Sequence, residues 1–363
     1  MRPSDTVASA LDKTLQYLTL SQEEMIRAGA IDCKMALQVI EEALRLHSTG
    51  GDILPFKVVL RWGDIASEEV RGHINAMPAY VGGDLDVVGI KWIGGLPESA
   101  KRGQPLLTGI QVLNDAHTGW PLAIMDAGLI TSVRTAAVAG IGIKYLAQKD
   151  SEIVSIIGTG VEGRSHAMMA KEVLPGLREI RGFDIRREAC SEWAKQMKEK
   201  LGVQTTSVNS MEEALRNADV IFTCAGFPRG PVPPESQRIK NVWVKPGAFI
   251  GRTAGPPLSS ELLGRCSKIV VDDWQQIKHR FDQHSNPGMQ LGEWYLRDGQ
   301  IYGQLGEIIS GRLRAREPGD DIIVLLTVGL GTEDTALAYR IYRNAMAMGL
   351  GTKATLWTQP VML

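Results

Sequence analysis

No apolar run in this chain reaches 18 residues, and no membrane-spanning helix is expected. The opening segment, MRPSDTVASALDKTL, lacks the apolar core of a signal peptide. The four cysteines, Cys33, Cys190, Cys224 and Cys266, stand apart with no Cys-x-x-Cys pair. That spacing argues against a disulfide framework or a zinc cluster and for reduced thiols in the cytoplasm. The six histidines follow no metal-ligand spacing, and no metal is expected. An excess of charge is missing too. Lys+Arg number 40 against 41 Asp+Glu, a net charge of −1, which gives no electrostatic basis for a nucleic-acid or anionic-membrane partner. The 363 residues are enough for two domains with substantial cores.

What is present is concentrated in Ile153–Gly163, IVSIIGTGVEG. An apolar strand runs into Gly158-Thr-Gly160-Val161-Glu162-Gly163, and a helix is expected from Arg164. Gly158 permits the tight turn, Gly160 lets a pyrophosphate approach the backbone, and Gly163 lets the helix pack on the strand. The pyrophosphate would sit on free N–H groups at the helix start. A second strand, Glu179–Phe183, ends in Asp184, 21 residues after Gly163, where a carboxylate accepts the ribose hydroxyls of NAD. Arg186 and Arg187 follow and keep NADP use open. Cys224, Ala225, Arg252 and Thr327, near the ends of later strands, are further cofactor-binding candidates.

The order of elements is unusual, because about 150 residues precede the glycine motif. Helical spacing of apolar residues predicts one helix over 21–48. Strand patterns follow at Lys57–Arg61, Gly72–Met77, Val87–Trp92, Gln111–Asp115 and Pro121–Asp126, with turns between them. A helix is expected over Ile130–Ala147, then strands at 153–157, 179–183, 219–223, 248–251 and 268–271. Asp321–Val328 reads as a strand and Thr332–Met348 as an amphipathic helix. The fold class is therefore α/β. A Rossmann dinucleotide-binding domain spans 133–320, and an N-terminal α/β substrate-binding and dimerisation domain (1–132) is completed by 321–363. Strands in 57–126 without a covering sheet of their own predict a homodimer built by that domain.

Several blocks resemble the ornithine cyclodeaminase/mu-crystallin family along nearly the whole chain. They are Ala76-Met77-Pro78-Ala79-Tyr80, Gly89-Ile90-Lys91-Trp92, Leu113-Asn114-Asp115 with Thr118-Gly119-Trp120-Pro121, Thr131-Ser132-Val133-Arg134-Thr135-Ala136-Ala137, Gly158-x-Gly160-Val161-Glu162, and Val328 through Asp334 (VGLGTED). The resemblance implies a dimer, an NAD(P)-binding Rossmann domain, and an α-amino or α-imino acid held against the nicotinamide. Members include amino-acid dehydrogenases, imine reductases, an opine-type dehydrogenase and cyclodeaminases, which share hydride transfer at the carbon bearing nitrogen and carboxylate.

The resemblance also assigns roles. Lys91 matches a lysine that binds the substrate carboxylate and serves as acid/base; desolvation would bring its pKa into a useful range. Lys57 stands where many relatives have a carboxylate-binding arginine, with Arg61 on the same side of the strand. Arg134, expected at the start of its helix, and Thr135 would contact cofactor pyrophosphate or substrate carboxylate. Asn75 replaces a glutamate common in cyclodeaminases and is a substrate-binding candidate. Gly255 replaces the aspartate proposed as their catalyst, and no Asp or Glu lies between Gly247 and Ser260. His166 is expected on a helix surface. Trp62, Trp92 and Trp120 would either wall the substrate pocket or pack in the core. These residues predict a cytoplasmic NAD(P)-dependent oxidoreductase acting on the C–N bond of an amino or imino acid. The alternatives are a cyclodeaminase-like lyase that recycles NAD and a mu-crystallin-like NADPH-dependent binding protein.

Overall fold

Alternating apolar residues along the first third of the chain build one mixed sheet. Its strands are β1 (Leu15–Leu20), β2 (Asp52–Ile53), β3 (Val58–Asp64), β4 (Glu69–Val81), β5 (Val87–Gly95), β6 (Leu107–Asp115) and β7 (Pro121–Asp126), lying in the order β1-β7-β6-β5-β4-β2 with β3 beside β4. The computed structural model describes residues 14–64, 69–96, 98–99, 102–226, 237–282 and 296–361; most of the opening segment, residues 1–13, lies outside them. The second sheet holds β8 (Ile153–Ile157), β9 (Glu179–Phe183), β10 (Gln204–Ser207), β11 (Val220–Cys224), β12 (Phe249–Ala254), β13 (Cys266–Val271), β14 (Gly303–Gln304) and β15 (Ile322–Leu326). Its order is β10-β9-β8-β11-β12-β15-β13-β14, parallel throughout. Strand order reverses at β8, between β9 and β11, and that switch point opens the crevice where open α/β sheets bind ligands. The last strand, β16 (Thr352–Trp357), returns to the first sheet and pairs antiparallel with β1.

The helix Ala127–Leu146 joins the two sheets. Asp126 caps it by accepting the Leu129 N–H at 2.6 Å, and nearly every side chain along it is buried. It is long and apolar enough to cross a membrane by composition alone, yet its apolar surface is spent inside the protein. A helix buried on all sides needs no polar stripe. Gly140 and Gly142 let it approach its neighbours, since a side chain at 142 would strike Phe249.

Several expectations change. The single helix over 21–48 is two, Gln22–Arg27 and Cys33–Ser48. Gly29 takes a positive φ of 96° and Asp32 caps the second helix through Met35 N–H at 3.0 Å, and neither device disturbs the apolar period that suggested continuity. Strands β1, β2, β10, β14 and β16 were not anticipated. The partners of β1 lie about a hundred and more than three hundred residues away, beyond the reach of local pattern. β15 was grouped with the C-terminal part of the first domain, but it lies between β12 and β13 in the second sheet. Its run IIVLL is buried on both faces, as a central parallel strand requires.

The two sheets are sewn together along one seam. His47 Nδ1 meets Asp52 at 2.9 Å and Nε2 meets Asp273 at 2.8 Å. Gln276 donates to the Pro55 carbonyl at 3.1 Å, and the Phe56 and His279 rings stack 4.1 Å apart. Burial opposes a charge on His47, but the carboxylates of Asp273 and Asp52 outweigh it and push the imidazole up to about 10. A folded-state value raised above the unfolded one stabilises fully below the unfolded value, about 6.5, and the contribution disappears as pH rises through about 10. His47→Ala should therefore destabilise the protein by about 3 kcal/mol at neutral pH, because two carboxylates lose their shared cation. In chemical denaturation at stepped pH, the gap to wild type should close above pH 10. A gap independent of pH would show that His47 is not held charged.

Candidate active site

Strand register places Met77, Lys91, Gln111 and Met125 in one row across β4, β5, β6 and β7. The helix Gly331–Ala347 lies over this face. Its approach is close enough to need glycine on both sides: a side chain at Gly331 would press on the Met77 carbonyl, and one at Gly89 would fall 2.7 Å from Thr335 Oγ1. Lys91 is thereby covered, with 1% of its surface exposed.

A buried lysine needs a counter-charge, and the helix supplies it in its first turn. Lys91 Nζ lies 2.6 Å from Asp334 Oδ2. The other oxygen of Asp334 accepts Arg134 Nε at 2.9 Å, and Arg134 Nη1 reaches Glu333 Oε2 at 3.1 Å. Leu330 N–H also donates to Glu333 Oε2, at 3.1 Å. Both carboxylates are fully buried, and both sit where a helix N-terminus favours negative charge. Burial, with a smaller contribution from Arg134, lowers Lys91 to about 8 against the pull of Asp334. Burial raises Glu333 to about 7, although Arg134 opposes the rise.

Arg134 does not open its helix as expected. The helix starts at Ala127, so Arg134 lies two turns inside it and its guanidinium turns to Glu333 and Asp334. The helix-dipole argument for that residue falls away, because ion pairing with residues 200 positions distant sets its direction. Thr135 Oγ1 donates back to the Thr131 carbonyl at 2.6 Å. Gly329 carries φ of 74°, and any Cβ there would fall inside the Arg134 guanidinium.

Lys57, just before β3, donates to the carbonyls of Val328 and Gly329 at 2.7 and 2.9 Å. The N–H groups of the same two residues donate to Asp272 Oδ2, each at 2.7 Å. A lysine from the first sheet and an aspartate from the second thus clamp the loop that leads into Glu333 and Asp334. Asn75 lies on the Lys91 face, paired with Ile93, and is partly buried. Arg61 pairs with His73 further along the same face.

On the second sheet, Gly158 takes φ of 96° with its Cα against Ala225, and Gly163 sits on the Gly158 carbonyl. Nothing lies within 4 Å of a side chain built on Gly160, and no side chain caps the helix Val161–Val173 that begins there. Its free N–H groups can hold a pyrophosphate. Asp184 Oδ2 accepts Thr159 N–H at 3.0 Å and Oδ1 accepts Arg186 N–H at 3.0 Å, which fixes the carboxylate at the strand end. Cys224 ends β11 and Ala225 follows it, and the Arg252 carbonyl on β12 accepts the N–H of Thr327, just past β15, at 3.1 Å. The Arg252 side chain bends to the Gly255 carbonyl at 3.3 Å. Glu162 connects the two halves: burial raises its carboxyl while Arg134, then Lys91, draw it down.

His166 is fully buried rather than on the helix surface. It meets the Glu162 carbonyl through Nδ1 at 2.7 Å and the Phe222 ring edge-on at 5.0 Å. Burial lowers it to about 4, so it is a neutral packing residue. The tryptophans neither wall the site nor fill the core. Trp92 and Trp120 are each more than two-fifths exposed, and Trp62 lies over Gly72. The opposite face of the first sheet carries Val58 (60% exposed), Leu60 (54%), Trp92 (43%) and Ile110 (43%). Sequence reasoning missed Glu333, Asp334 and Asp272. The signal was available: two adjacent acids open an otherwise apolar helix face and had to be buried with cations.

Residues 19–349 match the family model of the ornithine cyclodeaminase/mu-crystallin family. An N-((2S)-2-amino-2-carboxyethyl)-L-glutamate dehydrogenase of Staphylococcus aureus is 30% identical over 347 residues, covering 94% of this chain and 99% of the relative. The fold matches a Thermococcus litoralis Δ1-pyrroline-2-carboxylate reductase solved with NADH and L-proline at TM-score 0.78 and 28% identity, covering 92% and 99% of the two chains. It also matches an archaeal alanine dehydrogenase dimer with bound NAD at TM-score 0.79 and 30% identity, covering 94% and 100%.

Gly329→Ala tests the fit of the ion cluster. A positive φ and a displaced guanidinium should together cost about 1–3 kcal/mol, seen as a lower urea midpoint with an unchanged slope. Unaltered stability would mean that Arg134 is not held against Gly329.

Proposed function

The chain belongs to the ornithine cyclodeaminase/mu-crystallin family, and from that membership we infer an NAD-dependent oxidoreductase acting on the C–N bond of an α-amino or α-imino acid. Relatives matched along nearly their whole length are dehydrogenases and reductases of such compounds. The observation that carries the reading is Lys91, a buried amine 2.6 Å from Asp334 Oδ2 whose pKa is drawn down to about 8.

The cofactor fits the chain. Gly160 leaves room at an uncapped helix start, and Asp184 is fixed at the strand end where the ribose hydroxyls of NAD would lie. Arg186 and Arg187 are exposed beside it and leave NADP a second possibility. The nicotinamide, when bound, accepts or supplies hydride at the substrate α-carbon. The remaining work belongs to the protein. Lys91 and Arg134 hold the substrate carboxylate, with Asn75 and Lys57 at the edge of the same face. In the oxidising direction neutral Lys91 takes the proton of the substrate ammonium. The N–H electron pair stays on nitrogen and becomes part of the C=N bond as hydride leaves the α-carbon. Water then adds to the imine and releases a keto acid and an amine.

The substrate we favour is a secondary amine joining two amino-acid skeletons, of the opine type. The Staphylococcus aureus relative carries that chemistry in its name. Gly255 offers no acid for deamination with ring closure, and φ of 109° there suits glycine. The exposed apolar face around Val58, Leu60, Trp92 and Ile110 supports a homodimer formed through the first sheet, since apolar patches of this kind mark interfaces. We place the enzyme in the cytoplasm.

Offering NADH with pairs of keto acids and amines, with mass spectrometry of the products, tests the reading. NADH oxidation with formation of a secondary or primary amino acid is expected. Lys91→Ala should lose at least 10²-fold in kcat/KM, roughly the weight of a positioned acid/base, while still binding NADH. In wild type, kcat for oxidation at saturating substrate should rise with pH as Lys91 loses its proton. Conversion of ornithine to proline with ammonia release and no net change in NADH would overturn the assignment. Light scattering should give the mass of a dimer at micromolar concentration, and a monodisperse monomer would remove the interface.

A further inference from the structure

The cations expected to receive a substrate carboxylate are already matched by carboxylates of the protein. Lys91 and Arg134 face Asp334 and Glu333 at 2.6 to 3.1 Å, and all four side chains are at least nine-tenths buried. A further carboxylate entering this volume adds a negative charge that solvent cannot screen, which is costly in a low-dielectric interior. Some group must give up charge for the anion to bind.

The geometry selects the group. Asp334 uses one oxygen for Lys91 and the other for Arg134, so protonating it would release both cations. Glu333 is different. Its Oε2 takes Arg134 Nη1 and the Leu330 N–H, while Oε1 is buried with no hydrogen-bond partner among the described residues. A proton on Oε1 makes that oxygen a donor and loosens the Arg134–Glu333 contact, freeing Nη1 for the incoming anion, while Nε stays on Asp334. We propose that Glu333 is the proton-binding residue of the substrate site: a substrate carboxylate engages Arg134 and Lys91 as Glu333 takes up one proton from solvent at Oε1.

This rests on the reading that Lys91 and Arg134 hold the substrate carboxylate. Glu333 is a positioning residue here, acting through Arg134. The charged groups around it are Arg134 from the helix Ala127–Leu146, Asp334 on its own helix, Lys91 on β5, and Asp272 after β13 with Lys57 nearby. Glu162 lies beyond Arg134. Burial pushes Glu333 up to about 7, Arg134 draws it back, and Asp272 and Asp334 raise it further. The carboxyl thus stands near neutrality, where an added anion completes protonation. The sign follows: anion binding linked to proton uptake weakens as pH rises above about 7.

The test is titration calorimetry of the NADH complex with oxalate, a dicarboxylate shaped like the end of a keto acid. Measurements run from pH 7 to 9 in buffers of differing ionisation heat, with wild type and Glu333→Gln. Lys91 also gains a proton in this range, so the decisive quantity is the difference between the two proteins. Above about pH 8, where Glu333 is ionised before binding, wild type should take up about one proton more, and its affinity should fall about tenfold more per pH unit. Equal proton uptake and equal pH slopes would overturn the proposal and leave the carboxylate site standing. No oxalate binding to wild type at millimolar concentration would overturn both. If Glu333→Gln does not fold, infrared difference spectra of wild type on adding oxalate decide the matter: a new protonated-carboxyl C=O band is expected, and its absence contradicts the proposal.

Discussion

The bidentate hold of Arg134 on Glu333 and Asp334, extended to Lys91, is the constraint on which the rest of the site depends. Three distant parts of the chain meet in it: β5, the helix Ala127–Leu146, and the first turn of the helix Gly331–Ala347. Removing four charges from water costs several kcal/mol per ion, and mutual attraction at best offsets that. Apolar residues of similar volume would serve stability as well. The cluster keeps an amine buried with its pKa lowered to about 8. Its effects reach backbone level, since Gly89, Gly329 and Gly331 are the positions at which a side chain would push these elements apart.

The location follows from the topology. The joining helix leaves the first sheet after β7 and enters the second before β8, so a residue in its middle faces both. The loop between β15 and the next helix makes the return crossing and is gripped by Lys57 from one side and Asp272 from the other. The His47 seam ties the same two sheets through Asp273, next to the Asp272 clamp. Under the proposed function, cofactor and substrate would be presented to each other by elements anchored in different sheets. Glu162, in the first turn of the nucleotide helix, already senses Arg134 and Lys91.

Much of this was legible in the sequence wherever the determinant is local. The glycine turn, the strand ending in Asp184 and the strands from 58 to 126 follow from short patterns, and the family resemblance brought Lys91 and Arg134 forward. What local pattern does not contain is the partner. Arg134 could be placed on a helix, but its direction is set by carboxylates 199 and 200 residues away. The strand β1 is invisible without β7 and β16. His166 was expected in solvent because nothing in a helix of mixed polarity marks which turn faces Phe222. The run of β15 marked a strand but not its sheet, because two sheets in one chain can each bury such a strand.

The central claim is that the Lys91–Arg134 pair is the seat of the substrate carboxylate, and a crystal structure of the complex with NADH and a bound amino acid tests it most directly. The carboxylate should lie within hydrogen-bond reach of Lys91 Nζ and an Arg134 nitrogen, with the α-carbon facing the nicotinamide. An amino acid bound elsewhere, with the Lys91–Asp334 and Arg134–Glu333 contacts unchanged, would contradict the account.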